Sequence, residues 1–293
     1  MSKKKTKTKI KKSLGERVFQ VFAHVFVAVL ALSCLYPFWY VVCGSLSNAN
    51  QLFLNSGLLI KPLGFNTEAY KEILSDKLMW TGFGNTLLLL GVGIPLNTTM
   101  TALGGYFFSR KNILFKDILF KYCLLTMYIS GGMIPFYLNM KDLGMVGNRW
   151  GIILGFCMSC YYMIIMRTAF ASIPDSLCDA AKIDGAGHMK TLFSVVLPLS
   201  KASIAVIAMY YFVGIWNGWF WSTILTRDSS YWPLTAVLRK YLIEDSSNDA
   251  GGLGNGEVFR YAVVVVSVVP ILLIYPTLQK FFTKGVLVGA VKG

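Results

Sequence analysis

Asp179-Ala180-Ala181, then Gly185, then Val195-Val196-Leu197-Pro198 stand between two apolar stretches, at about 151–170 and 203–225. The segment that holds them, 171–200, is polar, light in side-chain bulk and interrupted by glycine. Such a segment is a poor structure to bury in lipid, where every unpaired backbone group is costly. It is a good surface for a partner to dock on. Its position therefore reads the flanks as membrane spans and the segment itself as a loop at one membrane face. Ser172-Ile173-Pro174-Asp175 predicts a helix start, with Ser172 as N-cap, Pro174 in the first turn and Asp175 completing a capping box. That helix is expected to run through Leu177, Ala180 and Ala181 until Gly185-Ala186-Gly187 ends it. A second short helix is expected over 188–193.

Four more apolar stretches, at about 18–43, 83–107, 118–138 and 261–281, make a set of six. Each approaches the roughly 20 residues that a helix needs to cross the hydrocarbon. The 293 residues are 55% hydrophobic and only 14% charged, with a mean hydropathy of +0.57, which excludes a soluble domain. The expected fold is an all-α polytopic membrane protein of six transmembrane helices. It is one domain with a basic tail (1–17), the loop 171–200, an outer loop 226–260 and a tail 282–293. The third stretch is the least clean, because Lys121 lies inside it.

A net charge of +14 first suggests nucleic acid, and its distribution rejects that reading. With the N-terminus in the cytoplasm, 19 of the 28 Lys/Arg but only 5 of the 14 Asp/Glu fall on the inner side. The whole excess then follows the positive-inside rule, and both termini and the Asp179 loop are cytoplasmic in a multi-pass membrane protein. Lys3 to Lys12 before an apolar run imitates a signal peptide, but the run continues past Cys34 to Val42, far beyond a signal core. The first span is read as a retained anchor whose lysines touch anionic lipid.

Most of the six cysteines fall inside spans, so a disulfide framework is not expected. Cys157 and Cys160 form a C-x-x-C with no histidine near them in sequence, and are read as small residues packing against a neighbouring helix. No metal site is expected. The second span carries Pro95 followed by Asn97, Thr98, Thr99 and Thr101. These either repair the backbone around the proline or line a substrate path. Tyr161, Trp216 and Asn217 join Asn97 and Thr98 as candidates for that path. Tyr161, Tyr162, Trp216, Trp219, Phe220 and Trp221 invite comparison with sugar-stacking platforms, but Trp and Tyr are expected at membrane interfaces, and Trp219 and Trp221, near the outer end of the fifth span, are read as interface anchors. Glu68 to Lys77 reads as a short surface helix. Loop 226–260 turns from aromatic to flexible over Ser246-Ser247-Asn248-Asp249-Ala250-Gly251-Gly252, and a loop that long is functional or disordered.

Covalent chemistry finds no support. There is no G-x-x-x-x-G-K-[ST] to cradle phosphate, no triad and no acid/base pair, and apart from His24 the ionisable residues sit at span ends. The chain is therefore expected to be a non-catalytic subunit that binds no cofactor and borrows its energy.

On these residues the chain resembles a permease subunit of binding-protein-dependent ATP-binding cassette importers, in the oligosaccharide-uptake branch that includes the maltose permeases. That family carries Glu-Ala-Ala, three residues, Gly, nine residues, Ile-x-Leu-Pro. Order and spacing hold here, with Asp179 for the Glu and Val195 for the Ile. Trp216-Asn217 and the tail from Gln279 through Gly285 to Gly289-Ala290-Val291-Lys292-Gly293 resemble that branch in particular. The resemblance implies coupling helices seated in two ATPase subunits, which hold the ATP and Mg. Asp179 then faces a partner's arginine, Ala180 and Ala181 form the flat face, Gly185 makes the turn and Leu197-Pro198 lead back to the membrane. Gly289 to Gly293 are implied to reach the ATPases. A second homologous permease, an extracytoplasmic solute-binding protein and a sugar or oligosaccharide complete the implied partners. The alternatives are a stand-alone carrier or facilitator, and a sensor or assembly protein that uses the loop only for docking.

Overall fold

The computed structural model describes residues 14–111, 113–248 and 255–290. In chain order come α1 (Leu14–Ser45), α2 (Ala49–Phe53), α3 (Glu68–Ser75) and α4 (Lys77–Ser109), then α5 (Lys116–Tyr128), α6 (Met133–Asp142), α7 (Arg149–Gly155) and α8 (Cys160–Ala171). The 171–200 segment holds α9 (Asp175–Ile183), α10 (His188–Thr191), a π turn over Leu192–Val196 and α11 (Leu197–Leu199). Then follow α12 (Lys201–Trp216), α13 (Trp219–Thr226), α14 (Leu234–Asn248) and α15 (Asn255–Ala290). No strand occurs among the described residues. Helices suit lipid, because a helix pairs its backbone groups within itself.

Three segments are single helices long and apolar enough to cross a membrane: Leu14–Ser45, Lys77–Ser109 and Gly256–Leu273. Two more candidates are bent pairs, α7 with α8 at 48°, and His188–Leu199 with α12 at 87°. The stretches expected as third, fourth and fifth spans are thus interrupted, at 129–132, 156–159 and 217–218. Two of the three breaks carry a glycine. Gly132 takes a φ of +86°, which L-side chains avoid. At Gly218 an added Cβ would lie 3.2 Å from the carbonyl oxygens of Gly214 and Ile215. Pro95, by contrast, lies inside an unbroken α4. His24, on the exposed side of α1, donates from Nδ1 to the Gln20 carbonyl one turn back (2.6 Å).

The chain divides into two compact units, Met1–Ala69 with Gly251–Val265, and Tyr70–Ala250 with Val266–Gly293. In the first, Cys43, Ala49, Leu52, Leu59 and Val258 form a small core. Gly44 admits the Tyr261 ring there, since a Cβ would meet Cδ2 at 2.6 Å.

The second unit is built on α4. Ala102 and Tyr106 of α4 pack with Met166 and Phe170 of α8, Cys178 of α9, Leu192 and Val196 of the π turn, and Ile207 and Tyr211 of α12. Close approach of α4 and α8 depends on Gly105, where a Cβ would come within 2.9 Å of Met166 Cβ and 3.1 Å of Arg167 N. Small residues let membrane helices pack backbone to backbone. Gly105→Leu is expected to part the two helices and cost about 1–3 kcal/mol. Size-exclusion thermal stability of the detergent-solubilised chain checks this, and an unshifted melting temperature would show that the contact is not tight.

The segment expected as an outer loop departs most from expectation. Within the expected loop 226–260, residues Leu234–Asn248 form α14, which takes in Ser246 to Asn248 of the stretch expected to be flexible, and its Leu234, Ala236, Val237 and Leu238 are buried. α4 anchors this segment. Asn85 Nδ2 donates to the carbonyls of Ser230 (2.8 Å) and Trp232 (2.9 Å), and Leu234 N donates to Thr86 Oγ1 (2.8 Å). Tyr241 OH hydrogen-bonds Asp76 at the head of α4. The expected flexible residues Asp249 to Gly252 lie outside the described residues.

Candidate functional site

Ser172 does not start a helix. It closes α8, and its Oγ donates to the Ala169 carbonyl at 2.7 Å. The N-cap position of α9 falls instead to Pro174. Asp175, expected to complete a capping box, accepts from Lys111 Nζ at 2.7 Å. That hydrogen bond holds the Asp175 carboxyl below the usual carboxylate range.

The other end of α9 follows the sequence. Gly185 has a φ of +76°, and its N–H donates to the Lys182 carbonyl (2.9 Å) while Ala186 N–H reaches back to Ala181 (2.8 Å). This pair of bonds is the Schellman arrangement, which needs a left-handed residue after the cap. α10 then starts at His188, and the π turn carries the chain through Leu197-Pro198 to α12 at nearly a right angle.

The loop has two faces. Inward, Cys178 of α9 is buried with Leu192 and Val196, and Leu197 packs against them. Outward, an open groove runs between α9 and the 194–199 segment, lined by Ala180, Ala181, Val195 and Pro198. The exposed apolar side chains of Ile183, Met189 and Phe193 belong to the same loop. Asp179 Oδ1 takes a hydrogen bond from Lys182 Nζ at 2.9 Å, which holds the Lys182 amine above its usual range. Both side chains are more than half exposed, so the pair is weak and readily exchanged for another partner.

Arg110, the C-cap of α4, ties this loop to the spans. Its Nη1 donates to Cys178 Sγ of α9 and its Nη2 to the Phe170 carbonyl of α8, each at 3.0 Å. Its Nε donates to Ser109 Oγ at 3.1 Å, and the guanidinium lies 5.1 Å from the Tyr106 ring centre. Beside it, Arg167 Nε donates to the Phe108 carbonyl (3.1 Å). In the sequence Arg110 is one of many basic residues at span ends, and nothing local distinguishes it.

Farther along α4 lies a cavity of about 310 Å³, lined from α4, α7, α8, α12 and α13. Two of the helix breaks open onto it, through Phe156, Met158 and Ser159 and through Gly218. Asn97 lines it, is 2% exposed, and its Oδ1 has no hydrogen-bond partner. Tyr162 and Tyr210 stack at 5.4 Å on its wall, and Trp221 also lines it. Tyr211 is pinned there, with its OH 2.6 Å from Thr101 Oγ1 and accepting from Ser159 N at 3.2 Å.

The other path candidates fall elsewhere. Thr98 Oγ1 is buried without a partner beside a separate pocket of about 110 Å³. Tyr161 is exposed, edge-on to Tyr162. Trp216 is buried and accepts from Thr235 Oγ1 at its carbonyl (2.9 Å). Asn217 caps α12, with Nδ2 on the Val213 carbonyl (3.0 Å). Conversely, Trp221, read from sequence as an interface anchor, lines the cavity, as do Tyr162 and Tyr210. Cys160 of the C-x-x-C lies 3.4 Å from Thr126 Oγ1 of α5. Of the tail residues, Gly289 and Ala290 continue α15, while Val291, Lys292 and Gly293 lie outside the described residues.

Comparison with known proteins agrees with this architecture. Residues 9–288 match the family described as the binding-protein-dependent transport system inner membrane component. The chain is 33% identical over 287 residues to the polygalacturonan/rhamnogalacturonan transport system permease protein YtcP of Bacillus subtilis, covering 96% of this chain and all of that one. It is 24% identical to the maltodextrin transport system permease protein MalD of Streptococcus pneumoniae, over 96% of this chain and 98% of that one. A solved bacterial ABC transporter involved in import of the acidic polysaccharide alginate has a chain that superposes with a TM-score of 0.85 at 32% identity. The match covers 94% of this chain and 100% of that chain.

Proposed function

The chain belongs to the binding-protein-dependent transport system inner membrane component family, and on that premise we propose that it is a permease subunit of an ATP-driven importer of a sugar or oligosaccharide. Relatives of this chain are named as transport permeases for polygalacturonan/rhamnogalacturonan and maltodextrin, which supports the sugar reading. A second homologous permease, two ATPase subunits holding ATP and Mg, and an extracytoplasmic solute-binding protein complete the assembly. The membrane is crossed six times, with the broken α5–α6 stretch as the third span and both termini in the cytoplasm.

The observation that carries this reading is the loop of α9 and α10. It turns Ala180 and Ala181 outward along a groove and buries Cys178 against the spans. ATP binding draws the two ATPases together and moves the paired loops with them. Each loop pulls on α4 and α8 through Arg110, and the spans rock between inward-open and outward-open states as rigid bodies. The sugar passes along α4 near Asn97. Hydrolysis resets the cycle, and this chain does no covalent chemistry itself.

Tagging the chain and extracting it gently from its native membrane tests the proposal. An ATPase dimer and a second permease in stoichiometric amount, with sugar uptake that requires ATP after reconstitution, is the expected result. A lone chain that transports without ATP would overturn it. Asp179→Ala is expected to weaken ATPase co-purification severalfold, by removing the charge offered to a partner's cation while leaving the α9 fold intact. Unchanged co-purification and uptake would remove Asp179 from the interface.

A further inference from the structure

We propose that the groove between α6 and α13 is a phospholipid site, with the lipid phosphate held by Arg227 and Tyr137 and an acyl chain lying along the groove.

The groove measures about 400 Å³ and is lined by Met133, Ile134 and Tyr137 of α6, Thr223 and Ile224 of α13, and Arg227. The same two helices touch through Phe136 and Trp221, whose ring centres are 4.7 Å apart. Thr223 spends its hydroxyl on the Phe220 carbonyl (2.8 Å), so the walls are apolar up to the Arg227 end. Met133 and Ile134 are exposed and call for an apolar cover. The apolar stretches that hold the two walls end near residues 138 and 225. Tyr137 and Arg227 therefore stand where hydrocarbon gives way to headgroups, and Met133 and Thr223 each lie one helical turn farther in. A phospholipid carries the same chemistry in the same order.

Arg227 supplies the polar end. Its Nη2 donates to Tyr137 OH at 2.7 Å, and among the described residues its guanidinium makes no ion pair. That leaves most of its five N–H donors for a phosphate, and Tyr137 can give its own proton to the same group. The backbone of Arg227 is held at a φ of +46°, a costly conformation of the kind found at ligand clamps. Two carboxylates follow these segments, Asp142 and Asp228, and neither lines the groove. Asp228 Oδ1 instead accepts from Ser230 N at 2.8 Å. The carbonyl end of α13 repels an anion with at most about half a unit charge, against the full charge of Arg227. Selectivity must come from this end, because an acyl chain that leaves the bilayer for the groove exchanges one apolar surrounding for another.

The test uses the purified full-length protein with its associated subunits. Native mass spectrometry follows titration with phosphatidylglycerol and with diacylglycerol of the same acyl chains. Phosphatidylglycerol is expected to bind at least tenfold more tightly, which is 1.4 kcal/mol. Arg227→Gln should erase that preference, and Tyr137→Phe should reduce it severalfold. Lys141→Gln removes an exposed cation of α6 that lies outside the groove, and should leave it intact. Arg227→Gly separates binding from folding. Glycine takes this backbone conformation without strain, so the delipidated protein should keep its melting temperature while the lipid preference is lost.

Equal binding of the two lipids overturns the proposal. So does a loss with Lys141→Gln as large as with Arg227→Gln, since net charge alone would then explain the binding. A photoreactive side chain at position 134 is expected to label lipid, and capture of a neighbouring subunit in its place would show a protein helix in the groove and overturn the site. None of these readouts uses ATP or sugar, so their failure leaves the importer reading where it was.

Discussion

Gly185→Val is expected to lower sugar uptake per ATP by about tenfold or more in the reconstituted complex, while insertion and ATPase binding persist. The reason is backbone geometry. Gly185 has a φ of +76° with open space where a side chain would go, so the penalty comes from conformation and not from a clash. A β-branched residue held in that region costs about 1–3 kcal/mol. The turn is short and exposed, and the cheapest relief is to rotate it out of the left-handed region. That breaks the bonds from Gly185 and Ala186 back to Lys182 and Ala181 and re-aims α10 relative to α9. The two short helices would still meet the ATPase, but not as one rigid body, and strokes would be lost between them. Each 1.4 kcal/mol of lost preference for the native turn is tenfold in its population. Asn at 185 is the discriminating variant, since asparagine tolerates the left-handed region. It should retain most of the coupling, with Ala intermediate. If the Val variant transports with unchanged uptake per ATP, the turn is not the coupling element.

The same turn shows which parts of this molecule are readable in its sequence. A glycine after a short apolar periodicity, at fixed distance from Leu-Pro, is a local signal, and local hydrogen bonds realise it. The start of α9 was misread because two serviceable devices compete there. Ser172 found an acceptor three residues back in α8, and Asp175 found Lys111, which is distant in sequence. Hydropathy marks the apolar stretches but not the breaks within them. A window of about twenty residues averages over the four residues at 156–159 or the pair 217–218, although Gly132 and the Asn217-Gly218 pair were visible as punctuation. Helix α14 did carry a signal, with Leu234, Val237, Leu238, Tyr241 and Leu242 recurring at helical spacing. The Ser/Asn/Gly run after it drew the reading toward a loop. The cavity is legible only in part. Asn97 stood out as a polar residue among apolar ones, but the depth of Tyr162 and Trp221 depends on how the broken helices fold back, which no period encodes.

Arg110→Ala is expected to cut uptake per ATP by ten- to a hundredfold without loosening the ATPases. Arg110 is the point where three elements meet: its own helix α4, the α8 carbonyl of Phe170 and the α9 thiol of Cys178, each bond at 3.0 Å. Alanine removes both outward bonds and leaves the Phe170 carbonyl without this donor, while the groove face at Ala180 and Ala181 is untouched. The loop would then answer ATP binding, but α4 would not follow it, and Asn97 would stay where it was. Hydrolysis should therefore continue near its basal rate and lose its stimulation by sugar-loaded binding protein. Lysine at 110 keeps the charge but not the planar fork that reaches two acceptors at once. It should recover only a small part of the coupling, although it would recover all of it if charge alone mattered. Two readouts separate a lever from a mere brace. A brace, once removed, lowers the folded fraction and reduces uptake and hydrolysis in proportion. A lever, once removed, leaves folded complex and ATPase activity in place and breaks only their ratio to transport. Proportional loss of both, or full rescue by lysine, would return Arg110 to the ordinary run of basic residues at span ends.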